Sequence, residues 1–207
     1  YGECHFCAIA VHEGKTVSSR SEASILHEAR KLASLPDFKG YILDIGGPTA
    51  NMFGFECRKK LLRGACPEKR CLYPSVCTSL RPDHGRQLSL LRKLRRIPGV
   101  KQAVVASGIR YDLVLADRKQ GLPYLSEVVR HHVSGQMKIA PEHSEDKVLT
   151  HMGKPGREGL IAFRNLFRRL TAEADKEQFL TYYLIAAHPG CTANDMEAAH
   201  LFASRRR

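Results

Sequence analysis

Apolar positions along the chain fall into short runs that alternate with longer segments at helical spacing. Ile25, Leu26, Ala29, Leu32 and Ala33 recur on one helical stripe until Pro36, and Ser19 with Glu22 makes a capping-box pattern ahead of them, so a helix of about four turns is predicted there. "GYILDIGGP" (40–48) is a short apolar run ending in Gly-Gly-Pro, as expected for a buried strand that stops in a tight loop. The alternation then repeats. "LSLLRKLRRIPG" predicts a helix, "VKQAVVASG" a strand ending at Ser107 and Gly108, and "LPYLSEVVRHH" another helix. "GQMKIAPEH" predicts a strand ending near Glu142, with helical segments from Ser144 to Ala174 after it. "QFLTYYLIAAHPG" predicts a strand ending at Pro189 and Gly190, and a last helix runs from Ala193 to Ala203.

Strand-then-helix units repeated in one order predict an α/β fold with a parallel sheet covered by helices, either open and doubly wound or part of a barrel. Segment 49–86 breaks this rhythm. It separates a strand from its helix by far more than the roughly 2 to 6 residues of an ordinary connection. Because it carries Pro67, Pro74, Pro82 and several cysteines, it is expected to be ordered by something other than an apolar core.

With 207 residues, 43% of them apolar and 26% charged, the chain has the make-up of one globular domain. No apolar run approaches the roughly 20 residues needed to span a bilayer, and the start lacks the build of a signal peptide, so cytoplasm is the expected location and no membrane partner is expected. Lys and Arg number 33 against 21 Asp and Glu, a net charge of +12. The positive side chains are scattered through helices, as at Arg92, Arg95 and Arg96, without the interleaved aromatics of a base-stacking platform, which favours a solvated basic exterior. No Gly-x-Gly-x-x-Gly follows any strand, which argues against an NAD-type dinucleotide binder.

Seven cysteines in a chain without a secretory signal point to free thiols and metal ligation ahead of a disulfide framework. Cys4 and Cys7 form a Cys-x-x-Cys pair, Cys57, Cys66, Cys71 and Cys77 lie in the insertion, and Cys191 is read as free. Taken alone, the pair fits half of a zinc site, a redox dithiol or part of an iron-sulfur set. The insertion cysteines are irregularly spaced for a zinc ribbon. A polar loop of about ten residues is expected after Cys7, where a redox motif would begin a helix. A cysteine one position before Tyr1 would complete Cys-x3-Cys-x2-Cys, with Phe6 just ahead of the last ligand.

In parallel sheets, functional groups gather outside the carboxyl ends of the strands. The predicted ends here are Gly46, Gly47, Pro48 and Thr49; Ser107, Gly108 and Arg110; Lys138, Pro141, Glu142 and His143; and His188 with Pro189. Small residues let backbone approach a ligand and charged ones read it, so this rim suits a zwitterionic, nucleotide-like molecule.

The stretches "YGECHFCAI", "DIGGPTANM", "GACPEKRCLYPSVC", "VASGIRYDL", "MKIAPEHSED" and "IAAHPGCT", spread over nearly all of the chain, resemble the radical S-adenosylmethionine (SAM) superfamily, and more closely its YgiQ-like group. The resemblance implies a partial parallel (β/α)6-type barrel over residues 1–207, truncated at both ends, with the cysteine-rich insertion at 49–86. It implies a 4Fe-4S cluster held by three thiolates, with SAM on the fourth iron. Reductive cleavage would give a 5'-deoxyadenosyl radical that abstracts hydrogen from an unknown substrate, the electron coming from a flavodoxin- or ferredoxin-type protein.

Carried over residue by residue, the resemblance implies that Cys4 and Cys7 are the second and third cluster ligands and that Phe6 lies against the adenine. Gly46, Gly47 and Pro48 match the superfamily's Gly-Gly-Glu strand end, with Pro48 in place of the Glu, so the SAM amino group must be met by backbone carbonyls or from elsewhere. Ser107 and Arg110 would hold the ribose or carboxylate, Lys138 and Glu142 would contact SAM, and His188 and Pro189 lead into the loop beside the adenine. Cys57, Cys66, Cys71 and Cys77 are left with three readings: an auxiliary iron-sulfur cluster, a structural zinc, or packing alone. Two thiolates cannot securely hold the cluster, so this chain alone is expected to be inactive. The alternative from another class is a zinc-stabilised basic module that binds RNA.

Overall fold

The computed structural model describes residues 2–47 and 49–204; the expectation at Pro48 lies outside them. In chain order the elements are α1 (Ile9–His12), α2 (Glu22–Ala33), β1 (Tyr41–Ile42), α3 (Arg58–Arg63), α4 (Gly85–Leu94), β2 (Gln102–Ala103), α5 (Tyr111–Ala116), α6 (Gly121–His131), β3 (Gln136–Glu142), α7 (Asp146–Met152), α8 (Arg157–Glu173), β4 (Phe179–Leu184) and α9 (Ala193–Ser204). Every pairing between these strands is parallel. β1 pairs with β2 (Tyr41 opposite Gln102), and β3 pairs with β4 (Gln136 opposite Phe179 through Ile139 opposite Tyr182, then an irregularity before Glu142 meets Leu184). An isolated parallel bridge links Ile109, beyond the end of β2, to Ile139 of β3. The Val105 N–H also donates to the His132 carbonyl at 2.8 Å. These four strands leave the six-stranded barrel an expectation.

The main core forms where β3 meets its covering helices. Met137 and Ile139 are buried on one face of β3, packed with Tyr124, Leu125, Val128 and Val129 of α6 and Phe163 and Phe167 of α8. Strand side chains alternate between faces, so burying Met137, Ile139 and Pro141 turns Lys138 and Glu142 together to the other face. A second layer seats α2 on α4 through Leu26, Ala29, Leu90 and Leu94.

The pattern reading holds best where elements are long. β3 and α9 follow their predicted bounds to within a residue or two, whereas β1 and β2 are strands for two residues each. The cap of α2 is Ser21 and not Ser19: its hydroxyl accepts the Ser24 N–H at 3.2 Å, and Ser21 has the extended backbone a cap requires. A short helix, α1, occupies part of the loop expected after Cys7, and α3 and α5 are additions. The insertion corrects a further expectation. Met52, Phe55, Cys57, Cys71, Leu72 and Leu80 pack with Leu113 of α5 into an apolar cluster of their own, so burial does contribute to ordering this segment.

Candidate cofactor site

The Cys4–Cys7 turn is fastened to the end of α7. Cys7 N–H closes the turn on the Cys4 carbonyl at 3.0 Å, and His5 N–H donates to the Met152 carbonyl at 2.9 Å. The His5 ring donates from Nδ1 to the His151 carbonyl at 2.5 Å. Gly153 ends α7 in the left-handed region (φ +66°), and an added Cβ would stand 2.8 Å from Arg70 Nη1 and 2.9 Å from His5 Nε2. A glycine is therefore required for the cysteine turn and the insertion to approach here. Glu3, also at positive φ (+49°), pairs with Lys15 at 2.7 Å and anchors the start of the turn.

This seat carries Cys4 to Arg110, whose Nη1 lies 3.9 Å from the sulfur. The guanidinium is held bidentate by Asp112, at 2.9 Å to Oδ1 and 2.5 Å to Oδ2, and its side chain is only 13% exposed. Burial works against the guanidinium's charge, but Asp112, then Cys4, raise its pKa above the usual arginine value and keep it cationic. Beneath lie Glu142 at the end of β3, with φ +69°, and buried Lys154, whose ammonium donates to the Ala140 carbonyl at 2.6 Å and stands 4.0 Å from the Glu142 carboxylate. Burial pushes the Glu142 carboxyl up, against the pull of Lys154 and Arg110. Burial and then Arg110 push the Lys154 ammonium down. Thus the described geometry brings together Cys4, Arg110 and Glu142 from three separate segments, with Asp112, within pairing reach of Arg110 in the sequence, as its partner and Lys154 as one that sequence reasoning missed.

The backbone of Arg110 is fixed by a buried relay. Asn51 accepts the Arg110 N–H on Oδ1 at 2.8 Å, donates to the Arg110 carbonyl from Nδ2 at 2.9 Å, and donates to His84 Nε2 at 3.2 Å. His84 Nδ1 in turn donates to Asp117 Oδ2 at 2.8 Å, which fixes the tautomer with Nε2 as acceptor. Asn51 and His84 are fully buried. Desolvation holds the His84 pKa below the ordinary value despite Asp117, so the ring is neutral. Nothing in the local sequence marks Asn51, His84 and Asp117 as neighbours, although Asn51 and His84 both lie within the insertion singled out at 49–86.

At the next strand end, Asp44 Oδ1 accepts the N–H groups of Ala106 (2.9 Å) and Ser107 (3.1 Å), and the Ser107 hydroxyl donates to Asp44 Oδ2. The Ser107 hydroxyl expected to meet a ribose is thus engaged by Asp44. Gly46 runs so close that a Cβ would lie 2.6 Å from both Cβ and Oγ of Ser107, whereas Gly47 has open space around it. On the far side, Phe6 meets His188 edge-on with ring centroids 6.4 Å apart. His188 Nδ1 donates to the Pro189 carbonyl at 3.0 Å. Lys138 is half-buried on the Glu142 face of β3.

The insertion cysteines do not share one environment. Cys57 and Cys71 are 4% and 6% exposed in the insertion's apolar cluster, Cys77 packs against it, and Cys66 stands outside it. Burial pushes the Cys71 thiol up, opposed by Lys60. For Cys77 burial is outweighed by the N–H groups of Ser79 and Leu80, which bring the thiol down. Among the described residues, no three Cys, His, Asp or Glu side chains are grouped to hold a metal ion. Nor is any described helix long and apolar enough to cross a membrane.

No family model matches the chain. It is similar to a UPF0313 protein of Fusobacterium nucleatum, 56% identical over 99% of this chain and 36% of that protein. A UPF0313 protein of Clostridium perfringens is 48% identical over 94% of the chain and 29% of its own length. One of Methanosarcina mazei is 48% identical over 95% of the chain and 31% of its own length. The chain thus spans about a third of these relatives, and over nearly all of its own length it is homologous to the UPF0313 proteins.

Proposed function

We propose that this chain is the cofactor-binding part of a radical SAM enzyme of the YgiQ-like group, with Cys4 and Cys7 as two ligands of a 4Fe-4S cluster. The observation that supports this reading best is the seating of the Cys4–Cys7 turn on the end of α7, with the Cys4 sulfur 3.9 Å from a cationic, largely buried Arg110. The donor set fits in part: two soft thiols on one turn suit iron, and a cluster held by three thiolates would need one further cysteine. When bound, the cluster supplies one electron for cleavage of the SAM sulfonium and so for hydrogen abstraction from a substrate.

The chain's own residues have four tasks. Arg110 places a fixed positive charge against the thiolate of Cys4, which offsets the negative charge that thiolate ligation brings into a partly buried site. Asp112 and Asn51 hold Arg110 from its side chain and its backbone. Gly46 and Gly47 leave the β1 end without side chains, so a ligand's polar groups can reach backbone there. Phe6 and His188, in edge-on contact, would lie against the adenine of a bound SAM, while Lys138 and Glu142 would offer opposite charges to its zwitterionic end.

The test uses a full-length relative reconstituted with iron and sulfide without oxygen. An absorption band near about 400 nm and 5'-deoxyadenosine on reduction with SAM are expected, both lost when the cysteines corresponding to Cys4 and Cys7 become alanine. One zinc per chain, no iron, and salt-sensitive RNA binding would overturn the proposal in favour of a zinc-stabilised module.

A further inference from the structure

Cys191 stands in the turn between β4 and α9, and no step above uses it. Its sulfur lies 3.5 Å from His143 Nε2. The His143 ring is wholly buried, and its Nδ1 accepts the Glu145 N–H at 3.1 Å. The ring proton therefore sits on Nε2 and points at the sulfur. Burial lowers the His143 pKa, ahead of the opposing pull of Glu145 and Asp195 and the push of His188 and Lys147, so the ring meets the sulfur as a neutral donor.

Gly190 has φ +84°, and a Cβ there would lie 2.8 Å from the His151 ring. Cys191 N–H donates to the His188 carbonyl at 2.8 Å. Thr192 then starts the 12-residue α9 with a reciprocal cap: its N–H donates to Asp195 Oδ2 at 2.7 Å, and its hydroxyl accepts the Asp195 N–H at 3.3 Å. Cys191 is half-buried between an exposed Gly190 and an exposed Thr192, one residue ahead of a capped helix start, where peptide dipoles favour developing negative charge. Cys57 and Cys71, by contrast, are buried in apolar surroundings.

We propose that Cys191 is a thiol-modification site whose reagents are low-molecular-weight disulfides. The Cys191 sulfur attacks one sulfur of the reagent, and a new S–S bond forms as the reagent's S–S bond breaks. The cysteine is oxidised to the mixed disulfide, the departing half is reduced, and the cysteine's proton passes through solvent to the departing thiolate. His143 Nε2–H donates to the attacking sulfur, and in the resting thiol the S–H points to the Thr192 carbonyl at 3.5 Å. An adduct here would stand beside His188 and Phe6, in the mouth of the cofactor site; that consequence rests on the radical SAM reading, whereas the thiol chemistry does not.

The experiment exposes the 207-residue chain to glutathione disulfide without iron or SAM, quenches with acid at intervals and maps the adducts by mass spectrometry. The Cys191 adduct is expected about tenfold faster than the adduct at Cys66, and Cys191→Ser removes that phase. A His143→Phe chain that folds, judged by circular dichroism, should lose most of that advantage; if it does not fold, the ranking in the unsubstituted chain decides. Equal rates at Cys191 and Cys66, or an unchanged Cys191 rate in folded His143→Phe, would overturn the proposal. Because no cofactor is present, failure here leaves the radical SAM reading standing, and the reverse also holds.

Discussion

Asn51 grips the peptide of Arg110 from both sides, accepting its N–H at 2.8 Å and donating to its carbonyl at 2.9 Å. The side-chain amide thereby imitates a strand neighbour where the sheet supplies none. A fully buried residue making such paired bonds has a larger effect on stability when removed than when formed, because the groups it leaves behind lose their partners without regaining water.

Asn51→Ala strands the Arg110 N–H and carbonyl together with His84 Nε2, and is expected to cost about 2 to 4 kcal/mol of unfolding free energy. Asn51→Asp keeps the acceptor but loses the donor, and should remain destabilising. Urea titration followed by circular dichroism measures both; an Asn51→Ala midpoint equal to that of the parent would contradict the relay.

Acid should weaken the fold earlier than carboxylate chemistry alone requires. His84, His132 and His143 are buried and have pKa values depressed by that burial, so at these groups the folded chain binds fewer protons than the unfolded one. Their contribution is complete above the unfolded value of about 6.5 and is lost as pH falls through and below it. Glu142, with its raised pKa, acts oppositely, favouring the folded state as it takes up a proton, and offsets part of the loss. Denaturation midpoints should drop between about pH 7 and pH 5, and a flat profile would refute the assignment of neutral buried histidines.

Two adjacent glycines should respond differently to the same methyl group. At Gly46 the added Cβ would overlap Ser107 and press on Asp44, so Gly46→Ala is expected to cost about 1 to 3 kcal/mol. Gly47→Ala meets nothing within 4 Å and should stay within about 0.5 kcal/mol of the parent. Thermal melts of the pair test this; similar losses at both would show that the β1 end is not built as described.

In the insertion, Cys57 and Cys71 pack as apolar groups. Cys71→Ser buries a hydroxyl in this apolar cluster and should cost about 1 to 3 kcal/mol, while Cys66→Ser should be close to neutral. If instead all four cysteines behaved alike, and their loss removed a bound metal found by elemental analysis, the packing account would fail.

Long periodic segments were legible because their signal is local and repeated: Met137, Ile139 and Pro141 alternate with Lys138 and Glu142 within a single strand, and the Cys4–Cys7 spacing is visible in one glance at the chain. Expected site residues from separated stretches, Cys4 with Arg110 and Phe6 with His188, do come together. The sequence by itself therefore determined the order in which strands and helices alternate and the end of β3 near Glu142, since side-chain periodicity depends only on backbone geometry, whereas β1, β2 and β4 end before the predicted positions. Tertiary structure alone decided that Asp44 engages Ser107, that Asn51, His84 and Asp117 line up behind Arg110, that Lys154 lies under Glu142, and that the insertion has an apolar cluster of its own. Those relationships join residues far apart in the chain, and hydrogen bonds in a desolvated interior depend on angles and distances that no local pattern encodes.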